Sequence, residues 1–314
     1  MGIKKHITLI TVLIIASLSG CNGLNETDKY NSTVFYATDQ YQTVCVEADL
    51  SMSYLDLNPE GAKTILLLHG EPGYSFIYRN IAPDLCNAGY RVVIPDLIGF
   101  GHSSKPKERK RITYSNHTQW LNSFIDKLKL KQINLFAHDW GAMISLRIIA
   151  DQPQLFNKVA ISYGYLFDGA EPLPEAFLQF REYAKSDKSF SAGNIMDWGS
   201  NIVLADSVKA MYDKPFIEPS DLLAARIFPS LIPEKDDDEA LINKLLVAKL
   251  KTYDKPFVTI WGNHYDALWV GKDQLLQSMI PGAKDQKHYV LDSNHFIQED
   301  QAQRLVSILL EYFK

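Results

Sequence analysis

Four short, nearly continuous apolar runs restrict this chain more than any other feature: "KTILLLHG" (63–70), "RVVIPDLIGFG" (91–101), "INLFAHDWG" (133–141) and "KVAISYG" (158–164). Each includes or ends in a glycine-containing turn. Apolar runs without alternation suit strands buried on both faces, as in a parallel sheet covered by helices. The stretches between them, "SFIYRNIAPDLCNAG" (75–89), "TYSNHTQWLNSFIDKLKL" (113–130) and "GAMISLRIIADQ" (141–152), space their apolar residues as helices do. Alternating strand and helix predict a doubly wound α/β sheet. Two β-rich stretches, "QTVCVEADL" (42–50) and "MSYLDL" (52–57), precede the series and read as an opening antiparallel pair.

The alternation stops near Tyr165. Residues 165–250 read as helical, with breaks at "EPLPE" (171–175), "DKPFIEPSD" (213–221) and "EKDDDE" (234–239). It resumes at "KPFVTIWG" (255–262) and "KHYVLDSNHF" (287–296), and closes on a helix, "QAQRLVSILLEYF" (301–313). The expected organisation is a core in two parts, 34–164 and 251–314, with a helical cap at 165–250 inserted after the sixth strand. Such an insertion sits over the carboxyl ends of the strands, where ligands bind in these sheets. A length of 314 residues accommodates one domain with a lid. The net charge of −5 argues against nucleic acid as a partner. The one dense basic run, "KPKERKR" (105–111), reads as a solvated loop.

The N-terminus stands apart from the fold. Lys4, Lys5 and His6 precede an apolar run, "ITLITVLIIASL" (7–18), too short to span a bilayer and typical of a secretory signal. It ends in "LSGC" (18–21), which resembles a bacterial lipoprotein box. That resemblance implies removal of residues 1–20, acylation of Cys21, and a polar tether over 21–33. Several acyl chains anchor stably where one does not. The expectation is an exported chain held by lipid on the periplasmic or cell-surface side of a bacterial membrane. A plain cleaved signal with an incidental cysteine is the alternative. Beyond Cys21 only Cys45 and Cys86 remain, which is no disulfide framework.

The chemistry centres on "FAHDWGAM" (136–143), in which Ala137 and Gly141 flank Asp139 on a strand-to-helix turn. This is the nucleophile elbow of α/β-hydrolases with a carboxylate where serine is usual, and the chain order nucleophile, acid, histidine also fits that fold. His295 in "SNHFIQED", just after the last strand, is the candidate base. Asp266 in "WGNHYDAL" is the candidate acid; nothing else in its loop is acidic until Asp273. His264 follows the wrong strand for the base. The turn "HGEP" (69–72) and the elbow would supply two oxyanion-hole N–H groups, from Glu71 and Trp140. The Glu71 side chain reads equally as a water ligand or as a structural part of the turn.

"HGEPGYSFIYRN", "IPDLIGFGHSSKP", "FAHDWGAMISLRIIADQP" and "NHFIQED" together resemble the haloalkane dehalogenases, in the subgroup whose acid follows the seventh strand. The likeness runs from about residue 40 to the C-terminus and includes the cap segment "YDKPFIEPSDLLAARIFPSLIP" (212–233). Epoxide hydrolases share the His-Asp-Trp-Gly elbow, so the combination with Glu71 and "HFIQED" carries the specificity. The resemblance implies no cofactor and no metal, with a small halogenated alkane and water as reactants. It also implies Trp140 as a halide donor through its indole N–H.

Asp139 makes chemical sense at saturated carbon. Serine would leave an ether there, whereas a carboxylate leaves an ester that water can cleave. The sequence departs from the family pattern at two points. Relatives place a second halide-binding Trp in the cap, and the matching segment "EAFLQFREYAK" (175–185) offers Phe180, which has no N–H. Trp198 in "IMDWGSN" is a substitute donor from elsewhere in the cap, with a buried packing role as its other reading. Asp266 also comes one residue later after Gly262 than the pattern expects. Two other functions stay open. One is an epoxide hydrolase using the same Asp139, with cap tyrosines Tyr183 and Tyr212 as acids; the other is a non-catalytic tethered binding protein.

Overall fold

The computed structural model describes residues 30–186 and 189–314. Residues 1–20 and Cys21, assigned above to a signal and a lipid anchor, lie outside the described residues. Eight strands form the sheet: β1 (Gln42–Glu47), β2 (Leu50–Leu57), β3 (Thr64–Leu68), β4 (Arg91–Pro95), β5 (Ile133–His138), β6 (Phe156–Ser162), β7 (Phe257–Gly262) and β8 (Tyr289–Leu291). Their spatial order is β1-β2-β4-β3-β5-β6-β7-β8. β1 pairs antiparallel with β2, and β2 antiparallel with β4; every other pairing is parallel. The apolar runs explain this layout. Ile65 to Leu68 are fully buried and all six residues of β5 are buried, as central parallel strands require.

Helices α1 (Ala82–Asn87), α2 (Tyr114–Lys127) and α3 (Trp140–Asp151) connect the early strands. Between β6 and β7, over the region expected to form a cap, lie α4 (Glu175–Ser186), α5 (Ala192–Trp198), α6 (Asp206–Asp213), α7 (Leu223–Ile227) and α8 (Asp238–Leu250). After β7 come α9 (Lys272–Met279), α10 (Ile297–Asp300) and α11 (Ala302–Tyr312). The doubly wound α/β sheet expected from the alternation is observed, and its helical insertion between β6 and β7 agrees with the α/β-hydrolase fold implied by the elbow and the resemblance. Packing begins earlier than the tether boundary suggested. The Tyr30 N–H donates to Asn87 Oδ1 at 3.1 Å, and its hydroxyl donates to Asn58 Oδ1 at 3.2 Å. Among the described residues no helix is long and apolar enough to cross a membrane.

Two charge clusters, one partly and one fully buried, fasten the helices between β6 and β7 to the rest of the fold. Arg147 on α3 reaches Glu239 Oε2 at 2.6 Å and Asn243 Oδ1 at 2.7 Å on α8, with its guanidinium 3.4 Å above the Tyr114 ring. Arg79 donates two hydrogen bonds to Glu299 on α10, at 2.6 and 2.7 Å, and the Tyr212 hydroxyl of α6 donates to the same carboxylate. Removing one partner of such a buried pair strands the other charge and costs roughly 3–5 kcal/mol. Arg79→Met is therefore expected to lower the urea midpoint by that equivalent. Arg79→Met with Glu299→Met should recover most of it; a single variant as stable as the parent would contradict the assignment.

Candidate active site

Asp139 caps α3 with φ 51° and ψ −122°, a left-handed φ that a residue with a side chain rarely adopts. Two glycines let the surrounding backbone come close. A Cβ on Gly141 would lie 2.5 Å from the His69 carbonyl oxygen, and one on Gly70 would lie 2.3 Å from Asp139 Oδ1. The turn after β3 can thus press directly against the elbow. The Glu71 N–H donates to Asp139 Oδ1 at 2.9 Å, and the Trp140 N–H also donates to this carboxylate. Burial pushes the Asp139 carboxyl up, opposed by His295 and by the two N–H donors.

His295 follows β8 and closes the other side. Its Nδ1–H donates to Asp266 Oδ2 at 2.9 Å, which leaves Nε2 facing Asp139 Oδ2 at 3.8 Å. Burial pushes the imidazole down, but the Asp266 hydrogen bond, the Asp266 charge and the Asp139 charge outweigh it, so the net shift is upward. The late position of Asp266 after Gly262 does not prevent this contact. Asp292 instead faces His264 Nε2 at 3.2 Å, and Asp273 lies in the first turn of α9. The His138 ring meets that of His295 edge-on at 4.8 Å; burial holds it neutral, so it adds no second positive charge.

Sequence reasoning missed Tyr163, just beyond β6. Its hydroxyl donates to the Asn294 carbonyl at 3.1 Å and accepts from the Gly262 N–H at 3.0 Å. Its ring lies 4.6 Å from that of His295. One side chain thus ties the loop carrying the acid to the loop carrying the histidine. The motif "KVAISYG" marks the end of a strand but gives no sign of this bridge.

A cavity of about 400 Å³ opens over these groups. Asp139, Trp140, Asp266 and His295 share its wall with Phe177, Phe180, Ile195, Leu268, Trp269 and Phe296. Trp140 is buried against the rings of Tyr114 and Phe228, at 5.2 and 4.8 Å. Phe180 lines the cavity from α4. Trp198 also lines it, but it is 60% exposed, which corrects the packing role considered for it. The end of α5 places its ring beside Tyr183 at 5.5 Å rather than in the core. Neither Tyr183 nor Tyr212 is among the lining residues, and Tyr212 is fully buried against Glu299.

Residues 63–218 match the alpha/beta hydrolase fold family. A haloalkane dehalogenase of Psychrobacter cryohalolentis is 37% identical over 85% of this chain and 88% of its own length. One from Mycobacterium marinum is 37% identical over 84% of this chain and 89% of its own. The chain belongs to the haloalkane dehalogenase family. Among solved structures, the haloalkane dehalogenase DpaA of Paraglaciecola agarilytica NO2 superposes with a TM-score of 0.79 at 27% identity. That match covers 87% of this chain and 92% of DpaA. This family member therefore carries an enzymatic hydrolase fold, with a carboxylate, a histidine and a second carboxylate converging on one cavity.

Proposed function

We propose that this protein hydrolyses haloalkanes to alcohol and halide through an ester on Asp139. The observation that carries the reading is the Asp139 carboxylate, held by the Glu71 and Trp140 N–H groups and faced by His295 across 3.8 Å. Asp139 Oδ2, the oxygen on the histidine side, attacks the alkyl carbon in line, and the halide leaves with the bonding pair. His295 then takes a proton from water, which adds to the carbonyl carbon of the ester. Asp139 Oδ1 becomes the oxyanion of that tetrahedral intermediate, already beside its two N–H donors. Collapse releases the alcohol and restores the carboxylate. Trp140 offers its indole N–H to the halide.

An epoxide oxygen would need a proton from an acid above the nucleophile. Tyr212 donates its hydroxyl hydrogen to Glu299, away from the cavity, which favours the halide reading. The deciding experiment incubates purified protein with matched bromoalkanes and epoxides and measures bromide and diol separately. Bromide release without diol supports the proposal; diol without bromide overturns it.

The pH dependence follows from His295. The base acts only when neutral, and its upward shift places that form above the ordinary histidine value. Turnover is therefore expected to fall as pH drops through a point above about 6.5. The Asp139 share of the shift disappears in the ester, while the larger Asp266 share remains. A kcat profile should show this limb, and Asp266→Asn should move it to lower pH. A limb below the ordinary value that Asp266→Asn leaves in place would contradict the assignment.

We also propose, from the likeness of "LSGC" (18–21) to a lipoprotein box, that the mature protein is held at a membrane surface by lipid on Cys21. Cys21→Ser should release it into the soluble fraction, and mass spectrometry of the parent should find acyl chains on the N-terminal residue. An unmodified chain starting elsewhere would remove the anchor.

A further inference from the structure

The mechanism above uses only the backbone of Glu71, yet its side chain is a cavity-wall carboxyl without the partners its charged form needs. Glu71 is 7% exposed and lines the cavity with Asp139, Trp140 and Phe180. Its Oε1 is sealed from solvent and has no hydrogen-bond partner. A buried carboxylate is stable only when paired or well hydrogen-bonded. Asp139, whose Oδ1 accepts the N–H of Glu71 itself, is so provided, with a second N–H from Trp140 and His295 opposite.

Two neighbouring buried carboxyls do not both ionise, and the proton goes to the one whose charge is less supported. Burial first, then the Asp139 charge, push Glu71 well up. The other titratable groups around the cavity do not reverse this. His295 is hydrogen-bonded to Asp266, and Tyr265 is 80% exposed at the rim. His69, two residues upstream, donates from Nδ1 to the Gly70 carbonyl and accepts the Leu97 N–H at Nε2, so it is neutral and turned away. Asp96, beyond His69, accepts from the Ser75 and His102 N–H groups.

A protonated carboxyl is a hydrogen-bond donor in search of an acceptor. The cavity has a matching deficit, because Phe180 occupies a cap position that cannot supply an N–H. We propose that Glu71 is carried as a neutral carboxylic acid whose O–H donates to the departing halide, in place of the indole that Phe180 lacks. This rests on halide displacement at Asp139. The carbon–halogen pair leaves with the halide, and the Glu71 O–H bond stays intact throughout.

The test titrates bromide into the full-length enzyme across pH, followed by tryptophan fluorescence, alongside bromide release from a bromoalkane. Wild-type binding should weaken at alkaline pH, as Glu71 ionises and its donor is lost. Glu71→Gln keeps an N–H donor that cannot ionise, so it should bind bromide with that alkaline loss removed. Glu71→Leu has no donor and should bind about tenfold or more weakly than the wild type at neutral pH, with no further alkaline loss of its own. Adding Phe180→Trp to Glu71→Leu should restore most of the binding. A wild type that releases bromide from the alkane while Glu71→Leu binds bromide equally well overturns the proposal and leaves the dehalogenase reading standing. If Glu71→Leu fails to fold, an unchanged alkaline loss in Glu71→Gln overturns it equally. A Glu71→Gln variant that gives a full burst of bromide and stalls as the ester, with bromide binding unchanged, would assign Glu71 to the hydrolytic water instead. Wild-type protein that releases no bromide at all removes both readings together.

Discussion

Asp266→Asn is expected to fold like the parent and to turn over about ten-thousandfold more slowly, the scale seen when a triad carboxylate is neutralised in place. The Asp266 carboxylate receives the Nδ1–H of His295 at 2.9 Å, which fixes the tautomer with Nε2 free towards Asp139. An amide can instead donate its N–H to Nδ1, which puts the proton on Nε2 and leaves no base facing the ester. It also removes the charge that stabilises the imidazolium formed as water is deprotonated. Size and shape barely change, so circular dichroism and the urea midpoint should stay close to the parent. Asp292→Asn is the matched control, since Asp292 faces His264 instead. An enzyme that loses activity with Asp292→Asn and keeps it with Asp266→Asn would contradict the site described.

The second large effect separates the two halves of the reaction. Displacement by Asp139 needs no base, whereas ester hydrolysis needs His295 to take a proton from water. His295→Phe should release halide once per active site and then stop. Phenylalanine fits among the rings of His138, Tyr163 and Phe296, which lie 4.6–4.8 Å from the imidazole centre. The burst should equal the enzyme concentration, and steady turnover should vanish. Sustained turnover at the parental rate would remove His295 from the mechanism.

The parts of this molecule that were legible in its sequence are those set by local pattern. Ile65–Leu68 and Ile133–His138 read as central strands because burial on both faces makes the runs mainly apolar and without alternation, Asn134 and His138 being the polar exceptions in the second. Asp139 was legible because a tight strand-to-helix turn demands small neighbours, and Gly141 meets the His69 carbonyl where any Cβ would collide. His295 followed from the chain order that this fold imposes. The cap was legible only as helical. In α8, Leu241 and Leu245 face solvent while Leu246 and Leu250 are buried, so its apolar residues give no single face. The sequence left Trp198 between a cavity role and a packing role, because its exposure depends on where α5 ends relative to the cavity rim. Arg79 and Glu299 pair across 220 positions of sequence, and Tyr163 joins Gly262 and Asn294 from 99 and 131 positions away. Contacts of that kind leave no local signature in either partner.

The most direct test of the central claim is the mass of His295→Phe after incubation with a bromoalkane. The account predicts a protein heavier by one alkyl group less one hydrogen, with the added mass on the peptide containing Asp139 and absent in His295→Phe combined with Asp139→Ala. Unmodified protein despite bromide release, or an alkyl group on any other residue, would contradict it.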